Sequence, residues 1–361
     1  MKIVQILPEL NEGGVERGTV ELSREFVKLG HESIVISCGG RLVSQIEADG
    51  GRHIKLDVCK KNPFIAPRKV YQLRKVLQDL KPDIVHVRSR VPAWLCFFAK
   101  RGLDIKIVST VHGFNSVNFY SSIMAKADAV ICVSNSIKEY IQKHYHTQEE
   151  KITVIPRGID LKLFNPNNLD KQFITDFKKQ YDLDDKFIVS TVGRITQLKD
   201  LETFIHAIAI AKETMPQIKA LIVGGVHRDK QNYFESLKDL LQALHLDDEV
   251  IFAGSQIKVA EIYMLSNVVV SASKKPESFG RSVAEAIAIN TPVVATNHGG
   301  VKDIIKDGIN GYLINVEDVN ELAIKIIESK DLKFDGYKYI TDNFSLGQMV
   351  EKTLKVYKGI L

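Results

Sequence analysis

Short apolar runs recur along the chain with amphipathic stretches between them, the alternation expected of parallel sheets covered by crossover helices. In the first half, strands are predicted at KIVQILP, SIVISC, HIKLDV, DIVHVRS, KIVSTVHG, AVICVS and ITVIP. Between the first two, a helix from about Val15 to Leu29 sets Val15, Leu22, Phe26 and Leu29 on one face, with Gly30 as its C-cap. The pattern breaks at VIPRGIDLKLFNPNN, where Pro156, Gly158 and Pro166 interrupt regular structure. It then restarts with FIVSTVG, KALIVGG, EVIFAG, VVVSAS and TPVVATN. The expected architecture is α/β: two Rossmann-like doubly wound domains, residues 1–165 and 166–340, facing a cleft. Residues 341–361 form a last helix with Leu346, Met349, Val350, Leu354, Tyr357 and Leu361 on one stripe. That stripe packs either within the second domain or back on the first.

Composition fits this reading. A chain of 361 residues suits two domains of roughly 150 to 190 residues, each able to bury a core. Hydrophobic residues at 45% and charged residues at 26% are those of an ordinary globular enzyme rather than a disordered chain. The opening MKIVQILPELNEGG does not resemble a signal peptide, and no run of about 18 apolar residues predicts a membrane span. Cys38, Cys59, Cys96 and Cys132 are widely spaced without a Cys-x-x-Cys, so the cysteines are expected to be core residues rather than a disulfide framework. A cytoplasmic protein is the expectation.

Charge is unevenly distributed. Residues 60–101 hold 11 basic and 2 acidic side chains, interleaved with Phe64, Tyr71, Trp94, Phe97 and Phe98. One reading is a solvated face over a core; the other is a surface that meets anionic lipid by charge and inserted aromatics, which would make the protein peripheral on the inner face of the cytoplasmic membrane. No nucleic-acid recognition motif accompanies the basic stretch, so nucleic acid is not an expected partner.

Ligands of such sheets bind beyond the carboxyl ends of the strands, so the chemistry is sought in those loops. In SASKKPESFGRSVAEAIAINTPVVATNHGG an apolar strand ends in small residues, then a loop with Pro276, Glu277 and Gly280 leads into a helix beginning near Arg281 and ending about Asn290. Free N–H groups and the helix dipole make this an anion site suited to phosphate. Glu277 in the loop is placed to reach sugar hydroxyls, and Glu285 in the helix to accept from a ribose diol. In VGRITQLKD, Arg194 and Lys199 follow a strand and put two cations where they neutralise a leaving diphosphate. Gly13 and Gly14 after the first strand serve a tight turn and a close backbone approach to donor phosphates or sugar. His112 ends another strand; a lone histidine is usually structural, but this one, followed by glycine, faces the cleft. Gly225 and Ser255, in loops after two strands of the second half, are expected to border the base.

The glutamate segment PESFGRSVAEAIAINTPVVAT resembles that of the family 4 retaining glycosyltransferases of GT-B fold, whose mark is two glutamates separated by seven residues with Phe-Gly between them. The resemblance extends through GGVERGTVELSREFVKLGH, VHG, VSNSIKEY, GRITQLKD and DGINGYLI. It implies a metal-independent hexosyltransferase, needing no cofactor, that takes its sugar from a UDP- or GDP-linked donor. Glu277 would contact the donor sugar, Ser278, Phe279, Gly280 and Arg281 the diphosphate side, Glu285 the ribose, His112 the transferred sugar, and Arg194 with Lys199 the leaving group. GGRLVSQIEADGG and RSRVPAWL are similar to bacterial enzymes of lipopolysaccharide core assembly, which implies a glycan or glycolipid acceptor of the cell envelope. The chain departs from the family at Asp200 and Asn290, where glycine is usual, and at Arg157, where asparagine is common. A nucleotide-sugar epimerase of the same fold and a non-catalytic nucleotide-binding partner subunit are the alternatives.

Overall fold

A computed structural model describes residues 1–11, 13–62 and 64–361. The chain forms two compact units, Met1–Gly158 with Leu346–Leu361, and Ile159–Ser345. The break therefore falls after Gly158 rather than at 165/166, and the last helix, Leu346–Ile360, starts later than position 341 because a separate short helix, Gly336–Phe344, precedes it.

The first unit is a seven-stranded parallel sheet in the order β3-β2-β1-β4-β5-β6-β7. Its strands are β1 (Lys2–Ile6), β2 (Glu32–Ser37), β3 (Arg52–Lys55), β4 (Ile84–Val87), β5 (Lys106–Val111), β6 (Ala129–Cys132) and β7 (Ile152–Val154). β1 pairs with β2 on one side, Val4 opposite Ile34, and with β4 on the other, Val4 opposite Val85. Ile3, Val4 and Ile6 are fully buried, as near-continuous apolar strands are when helices cover both sheet faces. The first helix runs Gly14–Lys28 and buries Leu22 and Phe26, and Gly30 follows with φ +77° as the predicted terminator. Leu29 lies 56% exposed, off the buried stripe, because the helix has already ended at Lys28.

The Leu346–Ile360 helix belongs to this first unit. Leu346, Met349, Val350, Leu354 and Tyr357 pack with Ile3, Leu22, Phe26, Ile84 and Val108. Leu361 follows the helix and is exposed, so it drops out of the predicted stripe.

The second unit is a six-stranded parallel sheet in the order β10-β9-β8-β11-β12-β13. Its strands are β8 (Phe187–Val192), β9 (Ile218–Val223), β10 (Val250–Gly254), β11 (Val268–Ser271), β12 (Val293–Thr296) and β13 (Gly311–Ile314). β13 was not among the predicted strands: GYLI is short, alternates little, and lies at the sheet edge beside β12. Both sheets reverse strand order beside a central strand, the doubly wound arrangement that opens a crevice at the carboxyl edge.

One expectation is overturned. Cys38 and Cys59 are joined as a disulfide, with Cα atoms 6.3 Å apart, while Cys96 and Cys132 are free and buried. β2 and β3 are parallel neighbours, so the loops that follow them lie side by side and bring together two cysteines that their sequence spacing keeps apart. Among the described residues no helix is long and apolar enough to cross a membrane.

Candidate functional site

In the second unit, β8 and β11 are hydrogen-bonded neighbours, so the loops leaving their carboxyl ends run together. The Lys274 N–H donates to the Leu198 carbonyl at 3.0 Å and ties one loop to the other. This brings Lys199, at the end of a short 3-10 turn, against Glu277: its ammonium donates to Glu277 Oε1. Ser273 Oγ donates to the same oxygen at 2.9 Å. Burial pushes the Glu277 carboxyl up, but the Lys199 charge, the hydrogen bonds from Lys199 and Ser273 and the nearby His298 outweigh it, and the net shift is downward. Glu277 is an anion at neutral pH, with its side chain 18% exposed.

Behind it stands the segment after β12. The Gly300 N–H donates to the Glu277 carbonyl at 2.7 Å, and His298 Nε2 donates to the Ser273 carbonyl at 2.7 Å. A Cβ on Gly300 would sit 2.5 Å from the Ser278 carbonyl oxygen and 2.6 Å from Phe279 Cα, so only glycine lets the two backbones meet. Phe279 is buried with its ring 6.2 Å from Phe344, which anchors the loop from below.

Gly280, at φ +95°, turns the chain into the Arg281–Ala288 helix and leaves that N-terminus without a side-chain cap. Arg281 Nε donates to Glu285 Oε1 at 2.7 Å and the Tyr263 hydroxyl to Oε2 at 3.1 Å. Glu285 is thus a fixed, mostly buried carboxylate. Arg194 is exposed and has no hydrogen-bond or ion-pair partner among the described residues. A Cβ on Gly225 would lie 2.7 Å from Ser255 Oγ, so those two predicted residues are brought together as well.

In the first unit, Gly14 begins its helix and Gly13 caps it with φ −76°, a backbone any residue adopts. At Gly14 an added Cβ would lie 2.5 Å from Arg157 Nη1, the movable end of a long side chain. Arg157 Nη2 is 3.2 Å from His112 Nδ1. A guanidinium only donates, so Nδ1 accepts and the ring proton sits on Nε2, which is buried without a partner. Burial, then the charges of Arg157 and Arg88, hold the His112 pKa well below its ordinary value, so the ring is neutral. It is a directed N–H donor in search of an acceptor.

Residues 12–163 match the family model Glycosyltransferase Family 4 and residues 173–340 match Glycosyl transferases group 1. A glycosyltransferase crystal structure from Rickettsia africae is 32% identical, with 99% of this chain and 98% of that one covered at a TM-score of 0.92. An uncharacterized glycosyltransferase of Methanocaldococcus jannaschii is 30% identical over 99% of this chain and 98% of its own. The chain belongs to glycosyltransferase family 4. Its GT-B fold is shared more distantly with Anabaena HepE, solved in complex with UDP, at 20% identity, 99% and 100% coverage and a TM-score of 0.84.

Several residues of this glycosyltransferase site escape a reading of the sequence alone. Ser273, His298 and Gly300 lie just before or just after the glutamate segment, and the support that His298 and Gly300 give its loop depends on β11 and β12 being neighbours. Arg157 reads as a departure from the family pattern, yet it is the group that sets the His112 tautomer. The sequence also contains an Asp-x-Asp, Asp182-Leu183-Asp184, of the kind that holds metal in other glycosyltransferases. It precedes β8, at the amino end of the sheet, and so lies at the opposite edge from Lys199 and Glu277.

Proposed function

We propose that this glycosyltransferase moves a hexose from a UDP- or GDP-linked donor, with retention at the anomeric carbon and without a divalent cation, to a glycan or glycolipid acceptor in lipopolysaccharide core or other cell-envelope polysaccharide assembly. The observation that carries this reading is the Lys199–Glu277 pair beside an uncapped helix N-terminus at the carboxyl edge of a doubly wound sheet. A carboxylate for sugar hydroxyls, a cation for phosphate and free N–H groups for the rest of the diphosphate are then side by side.

In the reaction the anomeric C–O bond to the β-phosphate breaks and its electron pair stays on the phosphate oxygen. The acceptor oxygen attacks from the same face, and its proton passes to that departing oxygen. Lys199, Arg194 and the N–H groups at Arg281 stabilise the growing negative charge. Glu277 accepts from the donor sugar's hydroxyls, the His112 Nε2–H donates to a sugar hydroxyl, and Gly13 and Gly14 give the backbone room to approach. Glu285, fixed by Arg281 and Tyr263, accepts from the ribose, and Gly225 with Ser255 borders the base. The protein acts by placement and electrostatics rather than by a covalent step.

The aromatic and basic face of the first unit fits an acceptor carried by a membrane. Trp94 stacks 5.9 Å from Phe98 and lies 5.3 Å from Phe119, and Phe64 and Phe119 are 93% and 73% exposed. A panel of UDP, GDP and ADP in a thermal-shift assay, followed by transfer from the corresponding sugars to extracted envelope glycolipid, tests the reading. Stabilisation by UDP or GDP and transfer lost in Glu277→Ala are expected; indifference to every nucleotide would sink it.

A further inference from the structure

A cavity of about 240 Å³ opens in the first unit at the carboxyl ends of β4 and β5, lined among others by Arg88, Arg90, Thr110 and His112. Arg88 is 5% exposed. Its Nη1 donates to Gln5 Oε1 at 3.1 Å, and Gln5 is oriented for this by donating its own amide N–H to the Thr19 carbonyl at 3.2 Å. Gln5 is neutral, and Arg88 Nε is buried with no hydrogen-bond partner among the described residues. Beneath it His86 is neutral too, held between the Tyr357 and Thr110 hydroxyls at 2.6 Å each. Arg90 donates to Ser121 Oγ at 3.1 Å, another neutral group.

Among the described residues, neither arginine has a carboxylate within ion-pair distance. Tyr357, Glu21 and Glu16 act on Arg88 only at longer range, and burial lowers its pKa to about 10. A buried cation without a counter-charge costs several kcal/mol, so a fold that keeps one is arranged to receive the missing charge. Among the described residues no acidic side chain lines the cavity, and the His112 Nε2–H, without a partner among them, belongs to its wall.

We infer that this cavity binds an anionic group of the acceptor, a phosphate monoester or a carboxylate, with Arg88 and Arg90 supplying its positive wall. The inference rests on the transferase reading above and narrows it: the acceptor is charged next to the hydroxyl that receives the sugar. Two sources share this chemistry, the acceptor's own anion and the donor's diphosphate, and they are separable.

The experiment is calorimetric titration of the full chain with sn-glycerol 3-phosphate, with glycerol as the neutral control, in the absence and presence of saturating UDP. Binding of glycerol 3-phosphate but not glycerol is expected, weakened roughly tenfold in Arg90→Gln and in Arg88→Lys, since a charge-assisted hydrogen bond is lost or misplaced. UDP affinity should be unchanged in both variants. Arg90 is only half-buried, so its variant keeps the test alive if Arg88→Lys does not fold. Equal affinity in wild type and Arg90→Gln, or no binding of glycerol 3-phosphate, overturns the site. If saturating UDP abolishes the binding, the cavity serves the donor and the acceptor assignment is overturned. Failure of UDP itself to bind would instead strike the transferase reading, and is read separately.

Discussion

The ammonium of Lys199 and the carboxylate of Glu277, 78 positions apart in sequence, are hydrogen-bonded to one another at the meeting of two loops. Lys199 holds Glu277 charged and the contact keeps both side chains in place, so they are expected to fail as a unit. Lys199→Ala and Glu277→Gln should each lower transfer by at least roughly 100-fold, the scale of losing one pre-placed electrostatic group. The double variant should lose little more than the worse single one, because contacting residues are not additive. Initial rates of all three variants decide it, and losses that multiply would mean the two act independently.

Gly300 is the second point of failure in this loop. Its Cβ would strike the Ser278 and Phe279 backbone, which flexible side-chain movement cannot relieve. Gly300→Ala should push the Glu277 loop outward, cutting transfer at least roughly tenfold while the unit stays folded, because a small misplacement of a catalytic group is enough. Near-normal kcat with unchanged melting would show that the loop tolerates the shift.

Much of this was legible in the sequence. Every strand but β13 stood out as a short apolar run, because strands covered on both faces cannot alternate. Glu277 and Glu285 stood out as candidates through the strand, glycine loop and helix N-terminus around them and through the resemblance of their segment to family 4. Pairings across strands were not: Lys199 with Glu277, Gly300 with Glu277, Arg157 with His112 and Cys38 with Cys59 all depend on which loops the strand order makes adjacent. Arg88 was hidden for a different reason. An arginine after a buried strand looks like any surface charge until its lack of a carboxylate is seen.

Asp200 shows how a departure from pattern is absorbed. It adopts φ +50°, the left-handed backbone that explains why glycine is usual there, and its buried carboxylate caps the following helix at the Thr203 N–H and pairs with Lys274 at 3.3 Å. Asp200→Ala keeps the unfavourable backbone and loses the cap, so it should cost about 1–2 kcal/mol. Asp200→Gly relieves the backbone and should cost less than Asp200→Ala. Urea denaturation of the two variants checks the order, and the reverse ranking would contradict it.

His86 links stability to pH. It is buried and neutral between Thr110 and Tyr357, with its pKa well below the usual 6.5 because burial disfavours the charged ring. Its folded pKa is depressed, so the unfolded chain takes up the proton first. The stability this histidine contributes is complete above about pH 6.5, and falls as the pH drops from there toward the folded pKa. His112, depressed for the same reason, adds to the slope. Chemical denaturation from about pH 7.5 to about pH 5, a range that brackets the unfolded histidine value, should show stability falling with acid, and His86→Gln should flatten the slope. Tyr357→Phe removes the partner of His86 Nδ1 and should cost about 1–2 kcal/mol at neutral pH. A slope unchanged in His86→Gln would assign the acid sensitivity elsewhere.

The exposed aromatics of the first unit lead to a prediction about membranes. Phe119 and Phe98 each carry a cation over the ring, Lys126 at 5.0 Å and Arg101 at 5.2 Å, and Trp94 lies against both rings. A solvated face over a core has no reason to leave Phe64 and Phe119 outside it. Aromatics set among lysines and arginines suit an interface where rings enter the headgroup layer and cations meet anionic lipid. Flotation with phosphatidylglycerol vesicles should carry the protein, phosphatidylcholine vesicles should not, and raised salt should release it. Phe119→Ser with Phe64→Ser should weaken flotation several-fold without changing the binding of UDP, because neither ring belongs to the second unit. Flotation indifferent to lipid charge would leave this face as a solvated surface.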